Sequence, residues 1–273
     1  MYGVASSEID DNAAVARKRD TQAEATRTLR LLWRAAPDPH PGPVSALGID
    51  ELVSTAIELA DAEGLSKLSM RRLASELGIS AMSVYTHVAS KAELLELMSD
   101  AAYGELAGEP HTDRRWQDRV AAIARENLEL FSRHAWLLEQ PPGRPPLGPG
   151  TTGKYERELM ALDGLGLDDV ELDSALSFVV GFSRGAARDS LAARAASEHT
   201  EDAAWWAQRA EALERLMPAE DYPLAVRVGS AAGAAHEAAW DARMSFDFGL
   251  ERVIDGLARL IERKSRAEDA GCR

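Results

Sequence analysis

Residues 68–95 read LSMRRLASELGISAMSVYTHVASKAELL, and this stretch decides the fold of the first part of the chain. Ser69 and Ser80 can each cap a short helix, the first over residues 70–77 and the second over residues 81–88. A Gly-centred break separates the two helices. Two short helices joined by such a turn form a helix-turn-helix, so the stretch predicts this unit.

The second helix of this unit has one apolar face and one polar face. Val84 and Val88 lie four residues apart and are expected to hold the helix to the core. The outward face carries small and hydroxyl-bearing residues at its front, which suit close approach to base edges in a major groove. Side chains on or beside this face are the candidate DNA-binding residues: Lys67, Ser69, Arg71, Ser80, Ala81, Met82, Ser83, Tyr85, Thr86, His87 and Lys91.

Helices are also predicted on both sides of this unit. Residues 49–62 place apolar or small side chains on one helical face, and Gly64 follows as a typical C-terminal stop. Ser90 and Glu93 form an S-x-x-E capping box. The box predicts a connecting helix over about residues 91–104 that joins two domains.

The longer stretch GLSKLSMRRLASELGISAMSVYTHVASKAELLELM, residues 64–98, strongly resembles the DNA-binding domain of the tetracycline-repressor (TetR) family of transcription regulators. The predicted helix over residues 49–62 matches the first helix of that family. The resemblance implies a ligand-responsive regulator that binds double-stranded operator DNA. From the residues alone, an ordinary αα-hairpin inside a helical bundle is the alternative.

No segment alternates apolar and polar residues with period two, so the predicted fold class is all-α. We expect a three-helix helix-turn-helix domain over residues 49–97 and a larger helical ligand-binding and dimerisation domain over residues 98–273. Residues 1–48 are predicted to be a partly disordered N-terminal extension with a basic segment. That extension is either a mobile tail or a basic arm along DNA phosphates.

The resemblance extends into the second domain. RWQDRVAAIARENLELFSRHAWLL (115–138) and LDSALSFVVGFSRGAARD (172–189) are similar to the C-terminal domain of the tetracycline-repressor subgroup. Family members are homodimers that pair through two late helices, which implies pairing here through residues 172–195 and 247–261. The alternative is that both are core helices of a monomer. Candidate interface residues are Gly181, Gly185, Leu250, Val253, Ile254 and Leu257.

A ligand pocket in this domain would be mostly apolar with a few polar anchors. Arg184 interrupts an apolar helix and is either an anchor for an acidic ligand or half of an ion pair, and each aromatic residue is either pocket lining or core. Candidate pocket residues are Phe131, Trp136, Phe178, Phe182, Arg184, Trp205, His236 and Trp240.

The resemblance does not carry over the metal chemistry of the tetracycline-binding members. Those members hold a magnesium–drug complex with a His shortly after the LL run, and LEQPPGRPP (138–146) contains none. Polar drug contacts of the family fall near Ile123 and Asn127, so the pocket chemistry differs. The histidines of this chain lack the spacing of three or four that a helical metal site needs, so we predict no metal and no cofactor.

Composition restricts the remaining possibilities. Cys272 is the single cysteine of 273 residues, and no apolar run reaches the ~18 residues of a membrane span, so we expect a cytoplasmic protein with no membrane contact. Nucleophile-elbow, phosphate-loop and metal-ligand motifs are lacking, so an enzyme is not predicted. A protein-interaction module that has lost DNA binding remains a third possibility.

The charge balance is unusual for a DNA-binding protein. The formal net charge is −14, and residues 49–97 hold four basic and eight acidic side chains. Three of the four basic residues lie at the ends of the two short helices. We therefore expect poor binding to random DNA, strong salt dependence and a palindromic operator read by a homodimer. We expect the protein to act as a repressor that releases the operator when a small molecule binds. Action as an activator is the alternative that the sequence leaves open.

Overall fold

The computed structural model describes residues 22–35, 48–112, 114–197, 202–236 and 240–271. Every regular element in these ranges is a helix, which confirms the all-α prediction. Helix α1 spans residues 22–32, and a 3₁₀ turn spans Ala135–Glu139. The other helices are α2 (Ile49–Glu63), α3 (Met70–Glu76), α4 (Ala81–His87), α5 (Lys91–Gly104), α6 (Trp116–Arg133), α7 (Pro149–Leu159), α8 (Asp169–Ser197), α9 (Asp202–Leu216), α10 (Pro223–His236) and α11 (Ala242–Gly271).

The chain divides into two compact units. The first consists of Met1–Glu109 and Glu139–Arg157, and the second of Pro110–Leu138 and Glu158–Arg273. A boundary between residues 97 and 98 would fall inside α5, which is one continuous helix, so the first unit continues past it. The loop before α7 and most of α7 also belong to this unit.

The core of the first unit forms because each of its helices buries one apolar face. Leu52 of α2, Leu73 of α3, Val84 of α4 and Leu94 of α5 are each 0 % exposed. Gly64 ends α2 with φ of 82°, a left-handed backbone angle that suits glycine. These packed faces set the orientation of the short helices α3 and α4.

Part of the N-terminal extension is a docked helix. Leu32 of α1 is 2 % exposed, and Thr28 donates its hydroxyl to Glu93 Oε1 at 3.2 Å. Arg27 lies 3.5 Å from Glu93, and Arg34 Nε donates to Asp50 Oδ1 at 2.9 Å. Over these residues the extension packs on the first unit, and Arg27 and Arg34 pair with carboxylates there. Arg17, Lys18 and Arg19 lie outside the described residues.

The core of the second unit is formed by α6, α8 and α11. Phe246 belongs to this core and stacks on Phe182, with ring centroids 5.3 Å apart. Helix α10 ends at His236 and α11 begins at Ala242, five residues before the segment 247–261 that the resemblance implied for pairing. No Gly or Pro interrupts α11 at residue 247, so the buried stripe continues from Phe246 to Leu250. The buried residues of this core are Val120, Ile123, Ala124, Ala161, Leu162, Ala175, Leu176, Val179, Phe246, Leu250, Val253 and Leu257.

Candidate nucleic-acid interface and effector region

Serine caps define the two short helices, as the sequence predicted. Ser69 Oγ accepts a hydrogen bond from Arg72 N at 3.1 Å, and Ser80 Oγ accepts one from Ser83 N at 3.1 Å. Between the helices, Gly78 has φ of 65°, which few other residues adopt without strain. The helix-turn-helix therefore rests on local signals that are readable in the sequence.

Helix α4 presents most of its candidate DNA-binding side chains to solvent. Met82 is 74 % exposed and Tyr85 is 47 % exposed, whereas Val84 is fully buried. Thr86 is exposed, and its hydroxyl donates to Ser83 O at 2.6 Å. Ala81, Ser83 and His87 are half-buried. The side of α4 that carries Met82 and Tyr85, called the reading face below, is shaped to enter a groove.

One ring atom on α4 is buried without a hydrogen-bond partner. It is Nε2 of His87. A phosphate contact through Nε2 of His87 would therefore need a small outward movement of the ring, since this nitrogen does not reach solvent.

The basic residues around the reading face differ in what they contact. Lys67 and Arg71 are exposed. Lys91 is half-buried, and its Nζ donates to Leu65 O at 3.0 Å and to Leu68 O at 2.6 Å. An ammonium has three N–H groups, so one remains for a phosphate. Lys91 therefore braces the turn before α3 in addition to its predicted DNA contact.

Arg72 forms an internal ion pair that the sequence pattern did not indicate. Its guanidinium lies 2.7 Å from Glu63 Oε1 and 2.6 Å from Glu76 Oε2. The hydrogen bond to Glu63, followed by that to Glu76, raises the pKa of Arg72 above its usual range. One of the two carboxylate charges is thus offset within the domain, and the group of three side chains keeps a net charge of −1.

A buried aromatic and cationic cluster lies in the second unit at the end of α6. Phe131 is 1 % exposed, Trp136 is 2 % exposed and Arg184 is 7 % exposed. The Arg184 guanidinium lies 5.3 Å from the Phe131 ring centroid, and Nη2 donates to Leu137 O at 2.7 Å. Of the eight candidate pocket residues, the structure therefore brings Phe131 and Arg184 into contact, and the buried Trp136 precedes Leu137 in the chain.

The other candidate pocket residues are more dispersed. Phe182 packs between α8 and α11, where a Cβ on Gly249 would lie 2.6 Å from its ring. Phe178, Trp205 and Trp240 are 57 %, 41 % and 40 % exposed. His236 is half-buried, and its Nδ1 is buried without a hydrogen-bond partner.

Buried polar residues of α6 and α7 were absent from the candidate pocket residues. Asn127 is 0 % exposed and Glu158 is 1 % exposed, and Asn127 Nδ2 donates to Glu158 Oε1 at 2.6 Å. Asn127 Oδ1 is buried without a hydrogen-bond partner. Burying a hydrogen-bond acceptor without a partner costs folding free energy. Asn127 Oδ1 is therefore a candidate to accept a hydrogen bond from a donor group of a ligand. The sequence does contain an indication of this site, since the amide of Asn127 falls on the apolar stripe of α6, four residues after Ile123.

The candidate interface residues divide between the core and the surface. Leu250, Val253 and Leu257 are 2 %, 6 % and 5 % exposed, so they face the core of their own unit. Ile254 is half-buried, and Gly181 and Gly185 are exposed. The apolar side chains that α8 and α11 leave exposed are instead Val170, Phe178, Met244 and Phe248.

A polar surface cleft on α6 differs from these sites. Its volume is about 390 Å³, and it contains none of the candidate pocket residues. Its lining is His111, Arg114, Asp118, Ala121, Ala122, Arg125, Glu126 and Glu129.

Across the described ranges, His, Cys, Asp and Glu residues form no group of three that could hold a metal ion. Among the same residues, no helix is both long and apolar enough to span a bilayer.

The capped helix pair and its exposed reading face define a helix-turn-helix DNA-binding protein. Residues 52–98 match the family described as bacterial regulatory proteins of the tetR family, and residues 109–261 match the tetracyclin repressor-like C-terminal domain. The chain belongs to the TetR family of transcriptional regulators. Proteins of this family regulate transcription and are not enzymes.

Named relatives agree with this assignment over almost the whole chain. The HTH-type transcriptional repressor DrrR1 of Streptomyces coeruleorubidus is 36 % identical over 271 residues, which cover 97 % of this chain and 98 % of that protein. The crystal structure of apo ActR from Streptomyces coelicolor has a TM-score of 0.64 at 30 % identity and covers 82 % of this chain and 99 % of ActR. The crystal structure of Streptomyces coelicolor ActR in complex with actinorhodin has a TM-score of 0.64 at 31 % identity. The match covers 80 % of this chain and 99 % of ActR.

Proposed function

We propose that this chain is a homodimeric repressor that binds a palindromic operator and releases it when a small molecule enters the second unit. The observation that carries the proposal is the geometry of α4, which buries Val84 and exposes Met82 and Tyr85. A helix held by one face and exposed on the other can enter a major groove.

The candidate DNA-binding residues then have distinct roles. Ala81 and Ser83 allow close approach of the backbone, and Met82 meets an apolar base edge such as a thymine methyl. Tyr85 directs its hydroxyl at a phosphate, and Thr86 does so when its hydroxyl turns away from Ser83 O. Lys67 and Arg71 supply positive charge for phosphate contacts, since both are exposed near the start of α3.

Pairing of two chains uses the exposed apolar side chains of α8 and α11. Phe178 and Phe248 are 57 % and 65 % exposed, which is unusual for phenylalanine unless a partner covers it. Gly181 and Gly185 lie on α8 near Phe178 and permit close approach of helices. Two reading faces related by a twofold axis require a palindromic site.

The effector is proposed to be an aromatic molecule with a hydrogen-bond donor. Phe131 and Trp136 supply apolar surface, Arg184 supplies a cation, and Asn127 Oδ1 supplies a buried acceptor. A structure of the similar protein ActR contains actinorhodin, so actinorhodin is the first probe. We place the site of action in the cytoplasm because operator DNA lies there.

Selection of binding sites from random duplex DNA by the full chain tests this function. We expect an inverted repeat whose half-sites lie about one helical turn apart, and release of that DNA as actinorhodin is titrated. Substitution Asn127→Leu is expected to weaken the actinorhodin response and leave operator binding intact. Enrichment of no sequence, or of a site without twofold symmetry, would contradict the proposal. Selected DNA that actinorhodin does not release would overturn the choice of effector class.

A further inference from the structure

One buried carboxylate connects helix α1 to the turn between α4 and α5. Glu93 is 5 % exposed, and its Oε2 accepts a hydrogen bond from Ala89 N at 2.6 Å. Ser90 Oγ accepts one from Glu93 N at 3.1 Å, which completes the capping box of α5. Glu93 Oε1 accepts the hydroxyl of Thr28 on α1 at 3.2 Å, and Arg27 Nη1 lies 3.5 Å from Oε2. The carboxylate is therefore bound by α1 on one side and binds the turn after α4 on the other.

The ionised form of Glu93 depends on the donors that α1 supplies. A carboxylate removed from water is stable only when hydrogen bonds and opposite charges surround it. Thr28 has one hydroxyl hydrogen and two acceptors at 3.2 Å, Glu24 O and Glu93 Oε1, and the charged carboxylate is the stronger of the two. Partial burial of Glu96, followed by the charges of Glu93 and Glu24, raises the pKa of Glu96. The donors of α1 therefore stabilise a carboxylate that neighbouring carboxyl groups oppose.

Helix α1 is also anchored at its other end. Trp33 Nε1 donates a hydrogen bond to Leu147 O at 2.8 Å. Arg34 Nε donates to Asp50 Oδ1 at 2.9 Å, at the start of α2. Helix α1 precedes residues 52–98, which match the DNA-binding domain of the family, yet it contacts the helices on both sides of the helix-turn-helix. These contacts fix α1 relative to α2 and α5.

We propose that Glu93 is a positioning residue for DNA binding, and that Thr28 of α1 fixes its carboxylate so that α4 presents the reading face in one orientation. Neither side chain contacts DNA. The effect passes from the Thr28 hydroxyl through Glu93 to the amide of Ala89, which directly follows the last turn of α4. The inference rests on the proposed function, because it names residues that set the geometry of operator binding. Helix α1 is then a fourth helix of the DNA-reading domain.

Hydrogen exchange of the full chain without DNA is the first test. Thr28→Val removes the hydroxyl and keeps the shape of the side chain. It is expected to raise the exchange of amides in residues 85–89 about fivefold or more, the effect of one lost hydrogen bond, and to leave residues 56–63 of α2 unchanged. Equal rises in both segments would show a loss of global stability alone. That result, or no rise in residues 85–89, would overturn the proposal.

Operator affinity is the second test, with DNA selected by the wild-type chain and at a temperature well below the Tm of every variant. Thr28→Val should weaken binding about threefold or more, and Thr28→Ser, which keeps the hydroxyl, should bind like wild type. The matched control is Thr26→Val, because Thr26 is exposed on the same helix and its hydroxyl donates to Gln22 O at 2.8 Å. It should also bind like wild type.

The salt dependence of binding separates positioning from direct contact. The slope of log K against log salt should be the same for Thr28→Val and wild type, because no phosphate contact is lost. A slope shallower by about one or more would show that α1 itself contacts phosphates. Unchanged affinity of Thr28→Val, an equal loss in Thr26→Val, or no rescue by Thr28→Ser would likewise overturn the proposal.

A double-mutant cycle assigns the effect to Glu93. In the Glu93→Ala background, Thr28→Val should change affinity less than about 1.5-fold, because the carboxylate that Thr28 binds is gone. If the Glu93→Ala chain does not fold, Glu93→Gln takes its place, and the effect of Thr28→Val should then be smaller than in wild type, since a neutral amide oxygen is a weaker acceptor. An undiminished effect would overturn the route through Glu93. If the wild-type chain selects no DNA, the proposed function fails, and the exchange experiment still decides whether α1 holds the turn after α4.

Discussion

Tyr85 and Lys91 follow each other closely in the chain but are held in different ways. Tyr85 is 47 % exposed, whereas Lys91 is half-buried and donates to two backbone carbonyls. Tyr85→Ala should therefore reduce operator affinity about tenfold or more with little change in Tm. Lys91→Ala should reduce affinity and also lower the free energy of unfolding by about 2–3 kcal/mol, because it removes charged hydrogen bonds.

Thermal unfolding and fluorescence anisotropy with the selected operator separate these two effects. The matched control is Lys67→Ala, which removes an exposed lysine beside the same helices and should not change Tm. If Lys91→Ala changed affinity alone, its hydrogen bonds to Leu65 and Leu68 would contribute nothing to stability, and its role would be limited to phosphate binding.

Helix α1 stabilises the first unit through one buried leucine. Leu32 is 2 % exposed, whereas Leu29 on the same helix is 39 % exposed. Leu32→Ala is expected to lower the free energy of unfolding by about 2–5 kcal/mol, as for other buried leucines. The control Leu29→Ala should cost less than about 1 kcal/mol. Urea unfolding measures both, and equal losses would show that α1 does not pack as described.

Helix α8 begins at a charged cap whose strength depends on pH. Asp168 Oδ1 accepts from Glu171 N at 3.0 Å and from Val170 N at 3.1 Å. The hydrogen bond from Glu171 N, together with Lys264 nearby, holds the pKa of Asp168 below its usual value of 3.8. A lowered pKa means that the carboxylate stabilises the fold above about pH 4 and that this contribution is lost as the pH falls further.

Asp168→Ala should therefore be less stable than wild type at pH 7, and the difference should shrink below about pH 4. Urea unfolding at pH 7 and at about pH 3 measures the two differences. A gap of the same size at both pH values would mean that the carboxylate charge does not contribute. Asp168→Asn keeps an N-cap acceptor and should recover part of the stability at pH 7.

Helix boundaries in the first unit follow from local signals, and longer-range contacts do not. Ser69, Ser80 and Gly78 act within a few residues of their own positions, so α3 and α4 are found within one residue of the prediction. The carboxylate of Asp100 accepts hydrogen bonds from the backbone amides of Gly150 and Thr151, about fifty residues away, and no local pattern reveals this contact. Leu250 shows a second reason why sequence prediction falls short. An apolar stripe on a helix does not indicate whether it packs in the core of its own chain or against a partner chain.

Dimerisation is expected to depend on the exposed phenylalanines of the second unit. Phe178→Glu combined with Phe248→Glu places charges on both exposed faces and should convert the dimer into a monomer in sedimentation experiments. The control Val228→Glu changes another exposed apolar residue, 49 % exposed on α10, and should leave the dimer intact. The monomer should lose most of its affinity for a palindrome, because it contacts one half-site. A dimer that survives both substitutions would place the interface elsewhere.

The acidity of the whole chain limits how many phosphates each protomer can neutralise. Arg72 is paired with Glu63 and Glu76, whereas Lys67 and Arg71 are exposed and Lys91 keeps one N–H group beyond its bonds to two carbonyls. Three such phosphate contacts per protomer give a slope of log K against log salt of about −5 for a dimer. Affinity therefore has to come mainly from correctly placed contacts.

Salt titrations on the selected operator and on scrambled DNA of equal length measure this balance. Lys67→Ala should make the slope shallower by about two, one phosphate contact per protomer, whereas Lys264→Ala in the second unit should not change it. Scrambled DNA should bind much more weakly at matched salt, because a net charge of −14 repels the backbone wherever the specific contacts are missing. Equal affinity for both DNAs would mean that charge alone drives binding, and the acidic residues would then need another explanation.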